Sequence, residues 1–99
     1  MAKKKPQKII VTRQPAFAEY VKEVGLAPEG VEVTDHATVD SVKGKHVIGL
    51  VPVYLAAHAH KLTMIPIITP PELRGAKLTI EQIREYAREP VNYETKIVD

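Results

Sequence analysis

The sequence predicts a small α/β domain: a mostly parallel, Rossmann-like sheet with helices on both faces. Two observations carry this expectation. Short apolar runs rich in β-branched residues alternate along the chain with segments of helical periodicity. Twice, moreover, an apolar strand runs into a polar or Gly-containing corner from which a Pro-led helix begins at once. The first such turn joins Lys8-Ile9-Ile10-Val11 to Thr12-Arg13-Gln14-Pro15; the second joins His46-Val47-Ile48-Gly49-Leu50-Val51 to Pro52-Val53-Tyr54.

The elements follow in order. Residues 1–7 read as a disordered basic tail, and residues 8–99 as a single domain. The first strand covers Lys8–Val11. The first helix starts at Pro15, where the missing N–H of proline costs nothing. Phe17, Tyr20, Val21 and Val24 fall on one stripe of it, and Gly25 stops it. A second strand spans Val31–Thr34, and the polar segment from Asp35 to Gly44 holds at most a short turn near Asp40–Val42. The third strand covers Lys45–Leu50. A helix from Pro52 to about Lys61 follows, apolar on most faces and so expected to lie against the sheet or a second subunit. The fourth strand is read at Met64–Ile68, where Pro66 argues for an edge or a bulge. A stiff loop, Pro70 to Gly75, leads to Thr79-Ile80-Glu81-Gln82, a capping box. That box opens a last helix, whose Ile80, Ile83 and Ala87 face the core. The fifth strand is read at Tyr93–Val98.

Composition narrows the classes. A chain of 99 residues with 44% hydrophobic residues supports one core, and a symmetric partner would relieve its large exposed surface. There is no cysteine, which removes disulfides, thiolate catalysis and cysteine-ligated zinc. No apolar run reaches membrane-spanning length, and the lysine-rich start lacks a secretory h-region; no membrane partner and a cytoplasmic location are expected. Net charge is +2, with Lys3, Lys4, Lys5 and Lys8 ahead of the first helix. The remainder is slightly acidic, which does not suit a duplex DNA binder. The lysine run reads as a solvated tail or a non-specific contact to a polyanion.

The chemistry is expected at the carboxyl edge of the sheet, where ligands of open α/β folds bind and helix N-termini attract anions. Arg13, between strand and helix, can fork onto phosphate or carboxylate or serve as an ordinary surface arginine. Thr12 and Gln14 beside it are ligand contacts or helix caps. Gly49, Val51 and Pro52 form the second corner, and Tyr54 starts its helix, facing the pocket or an interface. Glu72 and Arg74 lie on the loop after the fourth strand, where Arg74 reaches a ligand or pairs with Glu72. The four histidines show no metal spacing: His58 and His60, two apart on the expected helix, point to different faces, and His36 and His46 stand alone. No G-x-G-x-x-G, P-loop or serine elbow is present, so neither metal nor cofactor is expected.

Three segments in order resemble one family. They are Ile10-Val11-Thr12-Arg13, Val47-Ile48-Gly49-Leu50-Val51-Pro52-Val53-Tyr54-Leu55-Ala56-Ala57, and Pro71-Glu72-Leu73-Arg74-Gly75-Ala76-Lys77-Leu78-Thr79. Together they resemble the small CRISPR-associated family catalogued as Csx sixteen, found beside type III systems, and related viral ring nucleases. The resemblance implies a Rossmann-like fold related to CRISPR-associated sensor domains, homodimerisation, and cleavage of cyclic oligoadenylate messengers, most often cyclic tetra-adenylate. Taken with the position of these residues at the carboxyl edge, Arg13, Gln14 and Tyr54 are the expected catalytic residues, with Thr12, Gly49, Val51, Pro52, Glu72 and Arg74 binding substrate. Two positions depart from the family pattern: Gln14 stands where a histidine is common, and Tyr54 where a polar residue, commonly Asn or His, is. An amide does not titrate, so a non-catalytic binder or sensor is the alternative, followed by a plain interaction module or an enzyme acting on another phosphorylated metabolite.

Overall fold

A computed structural model describes residues 7–98. It contains β1 (Lys8–Val11), α1 (Pro15–Glu23), β2 (Glu32–Thr34), α2 (Val39–Val42), β3 (His46–Gly49) and α3 (Val53–Ala56), then β4 (Lys61–Met64), a 3₁₀ turn at Pro71–Leu73, α4 (Ile80–Tyr86) and β5 (Val91–Tyr93). The five strands form one sheet in the order β2-β1-β3-β4-β5. The first four run parallel, and β5 pairs antiparallel with β4. This is a Rossmann-like α/β fold, and its chain order reverses between β1 and β3. The tail read at residues 1–7 lies outside the described residues except for Gln7, whose carbonyl accepts the His46 N–H at 2.8 Å.

Alternation along the strands divides the core between two faces. Ile9, Val47 and Leu62 pack with Val42 of α2 and Leu55 and Ala56 of α3. Ile10 and Ile48 pack on the other face with Phe17 and Val21 of α1 and Ile83 of α4. The α1 stripe buries Phe17, Ala18 and Val21 but leaves Val24, its C-cap, half exposed. Gly25 takes φ 82° just beyond; the Leu26 N–H donates to the Val21 carbonyl and the Gly25 N–H to that of Lys22, a Schellman closure. At α4 the capping box is complete: the Gln82 N–H donates to Thr79 Oγ1 at 3.2 Å, and the Thr79 N–H to Gln82 Oε1 at 3.0 Å.

Three elements differ from the sequence reading. The fourth strand is Lys61–Met64, not Met64–Ile68, because Lys61, Leu62 and Thr63 take the register against His46, Val47 and Ile48. It is interior, so Pro66 marks neither an edge nor a bulge. Beyond the strand, the Pro66 carbonyl accepts the Arg88 N–H at 2.8 Å, and Ile67 bridges Ala87. An early β4 leaves room for one helical turn, so α3 ends at Ala56 where Pro52–Lys61 was expected. The His60 N–H already donates to the Lys45 carbonyl, so His58 and His60 lie on a return loop rather than a helix. The fifth strand is Val91–Tyr93, not Tyr93–Val98, and forms the exposed antiparallel edge.

A polar chain crosses the sheet on the α1/α4 face. His46 Nε2 lies 2.6 Å from Thr63 Oγ1, and that buried hydroxyl donates to Asn92 Oδ1 at 2.6 Å. With the hydroxyl proton committed to Asn92, Thr63 accepts from the imidazole. Burial, then Lys61, Lys8 and His60, hold the His46 pKa down to about 4. The unfolded chain takes up this proton near pH 6.5 and the folded one only near 4. The stability this histidine contributes is therefore full above pH 6.5 and is lost as pH falls towards 4. Because the ring is only partly buried, the expected loss is about 1–2 kcal/mol. Urea midpoints at pH 7 and pH 4.5 should fall further in the wild type than in His46→Gln; equal falls would show that this histidine does not set the acid limb.

Candidate functional site

The carboxyl ends of the parallel strands open into a pocket of about 660 Å³, within the usual range of small-molecule sites. It lies over the β1/β3 reversal, where open sheets with this strand order bind ligands. Val11 and Gly49 form its floor. These residues face each other across the β1–β3 ladder. Gly49 takes φ 135°, and a Cβ there would stand 2.1 Å from the Val11 carbonyl oxygen, so only glycine permits this approach of the two strand ends.

The turn Thr12-Arg13-Gln14 forms one wall. Thr12 is tied twice: its N–H donates to the Thr34 carbonyl at 2.9 Å, and its Oγ1 accepts the Gln14 N–H at 3.0 Å. Gln14 serves as a strut. Its Nε2 donates to the Ala76 carbonyl and its Oε1 accepts the Leu78 N–H, both at 3.0 Å. That amide locks the first corner to the segment before α4, and both its donor and its acceptor ends are used there. Arg13 between them is exposed and makes no hydrogen bond or ion pair to any described residue. Arg13 lines the pocket, and no described residue engages its guanidinium.

Val51, Pro52 and Tyr54 line the opposite side, with Tyr54 largely exposed at the mouth beside Leu50. Of the two helix starts expected to face a ligand, only that of α1 belongs to a helix longer than one turn. Glu72 and Arg74 are exposed around the 3₁₀ turn and do not line the pocket. Asp35 and His36, which the sequence reading did not select, do line it. The signal was available: both follow β2 at the same carboxyl edge that singled out Arg13. Ile65, Ile67 and Leu78 supply apolar walls, hidden from a reading that placed the fourth strand three residues late. The lining is thus largely apolar, with Thr12, Arg13, Gln14, Asp35, His36 and Tyr54 as its polar groups, the usual make-up of a small-molecule site. Among the described residues, no three His, Asp or Glu side chains gather as a metal site requires.

Residues 9–96 match the model of the family described as "Putative CRISPR-associated protein (Cas_VVA1548)". The chain belongs to this CRISPR-associated family. The match takes in every strand and helix around the pocket, from Ile9 in β1 through α4. No curated protein and no solved structure matches the chain. Among the described residues, no helix of this CRISPR-associated protein is long and apolar enough to cross a membrane.

Proposed function

We propose that this protein is a ring nuclease that opens cyclic oligoadenylate, most readily cyclic tetra-adenylate, by attack of a ribose 2′-hydroxyl on its own phosphate. The observation that carries this reading is an Arg13 that no described residue engages, lining a largely apolar pocket at the β1/β3 reversal of a CRISPR-associated chain. Apolar walls accept adenine, and the guanidinium meets a phosphate. The reaction needs no protein nucleophile. It needs hydroxyl, phosphorus and leaving oxygen held in line, and charge on the equatorial oxygens met by donors.

A pocket of about 660 Å³ suits part of a four-nucleotide ring rather than the whole. A homodimer with two pockets meeting across its two-fold would match the rotational symmetry of the ring. The exposed Leu50, Val53 and Tyr54 near the mouth supply an apolar rim for that contact. A second reading, a binder that holds the ring without cutting it, draws on the engagement of both ends of Gln14.

The test is incubation of the full-length protein with labelled cyclic oligoadenylates of several sizes in EDTA. Linear products ending in 2′,3′-cyclic phosphate and 5′-hydroxyl are expected, and a 2′-deoxy ring should bind and remain intact. A natural ring recovered bound and uncut would make the protein a binder. Cleavage of the 2′-deoxy ring, or activity lost in EDTA and restored by manganese, would replace the 2′-hydroxyl with an activated water. Absence of binding would end both readings.

A further inference from the structure

Among the described residues, four ionisable side chains line the pocket: Arg13, Asp35, His36 and Tyr54. Ring opening by the 2′-hydroxyl needs a group that takes a proton near neutral pH, and a guanidinium cannot. Gln14, at the position where the family resemblance expects a titrating residue, has no proton to exchange and has both ends of its amide bonded to the backbone of Ala76 and Leu78. Imidazole is the side chain best matched to proton transfer in this range. Resting on the ring-nuclease reading, we propose that His36 is the catalytic base of this pocket, taking the proton of the attacking 2′-hydroxyl opposite a phosphate held by Arg13.

The backbone supports this pairing. Thr34 links the two groups: its carbonyl accepts the Thr12 N–H at 2.9 Å, and its Oγ1 accepts the His36 N–H at 3.1 Å and donates to the His36 carbonyl at 3.2 Å. The residue that ends β2 therefore ties down both the turn bearing Arg13 and the turn bearing His36. The imidazole makes no hydrogen bond to any described residue, so none of those residues competes for its nitrogens. Asp35 is its neighbour in the chain, and Arg13 and Tyr54 are the ionisable groups that other elements bring to the same pocket.

The step balances without a co-reactant. The 2′-oxygen forms a bond to phosphorus as its proton passes to a neutral imidazole nitrogen. The bond from phosphorus to the 5′-oxygen breaks, and that oxygen takes a proton from solvent. The imidazolium then returns its proton to solvent, leaving a 2′,3′-cyclic phosphate and a 5′-hydroxyl with no atom gained or lost.

The experiment uses the full-length protein with His36→Ala, His36→Gln and Asp35→Asn, cyclic tetra-adenylate as substrate, and its 2′-deoxy analogue as a binding probe. Both His36 variants should cleave roughly 10²–10⁴-fold more slowly in single turnover, the scale for loss of a general base. Affinity for the 2′-deoxy ring should stay within about threefold, which separates proton transfer from binding. Added imidazole should restore part of the rate in His36→Ala but not in His36→Gln, whose side chain fills the space. Asp35→Asn decides between the two neighbours: a loss of rate as large as in the His36 variants, at unchanged affinity, would place the base at Asp35 and overturn the assignment. A folded His36→Ala protein that cleaves at the wild-type rate, or one whose affinity falls as far as its rate, would overturn the assignment while leaving the ring-nuclease reading intact. A wild-type protein that opens no ring of any size would overturn both.

Discussion

Gly49→Ala should be the most damaging of the five glycine-to-alanine substitutions. The added Cβ would sit 2.1 Å from the Val11 carbonyl oxygen, a backbone atom at the end of an interior strand that has no rotamer to escape into. The residue would also have to hold φ 135°, a conformation that L side chains rarely adopt. Backbone strain contributes about 1–3 kcal/mol and forced overpacking about 1–3 kcal/mol more, against a total stability of roughly 5–15 kcal/mol for a chain of this length. A fall in Tm of about 10–30 °C is expected, read by circular dichroism, or recovery only as aggregate. Gly30→Ala and Gly75→Ala are the matched controls. Both glycines have positive φ, 83° and 77°, but nothing lies within 4 Å of an added Cβ, so they should lose only the conformational term. A Gly49→Ala melting curve no lower than those of the controls would mean that the ends of β1 and β3 do not approach as described. Because Val11 and Gly49 form the pocket floor, any surviving folded fraction should also bind ligand poorly.

The division of legible from illegible features follows the range of the interactions that set them. Local signals were readable: Lys8–Val11 as a short apolar strand rich in β-branched residues, Gly25 as a helix stop, and Thr79 with Gln82 as a capping box. Each depends on residues a few positions apart. The start of β4 was not readable, because Met64–Ile68 is as apolar and β-branched as a strand should be. What selects Lys61–Met64 is pairing with His46–Ile48 on one side and Val91–Tyr93 on the other, contacts that no local window contains. The same displacement shortened the helix after Pro52 and removed His58 and His60 from it. The strut made by Gln14 spans 62 and 64 residues of sequence, so its position suggested chemistry while its bonds are architectural. His36 is a different case. The rule that picked out Arg13, a residue just past a parallel strand at the carboxyl edge, applies equally after β2, and a polar, turn-rich segment concealed it only while it was read as a connection.

Arg13→Ala should leave the fold intact and remove most of the site's function. The side chain is exposed and makes no bond to any described residue, so its truncation should change stability by no more than about 0.5 kcal/mol. In the proposed complex, by contrast, it is the cation that the described residues place at the pocket. Loss of a charged contact to phosphate costs roughly 1.5–3 kcal/mol of binding, or about ten- to a hundred-fold in Kd. If the guanidinium also meets charge that develops on the equatorial oxygens, the cleavage rate should fall about 10²–10³-fold. Arg13→Lys separates these contributions: it retains the charge but loses the planar fork, so affinity should recover more than rate. The salt dependence of binding should also weaken in the alanine variant, since one phosphate contact is gone. Arg74→Ala is the contrast, because Arg74 is exposed on the loop and lies outside the pocket walls; its effect should be smaller on both measures. The decisive comparison is therefore between two exposed arginines on one scaffold. Equal losses in both variants would indicate a diffuse electrostatic effect, and a folded Arg13→Ala protein with unchanged affinity and turnover would place the ligand elsewhere.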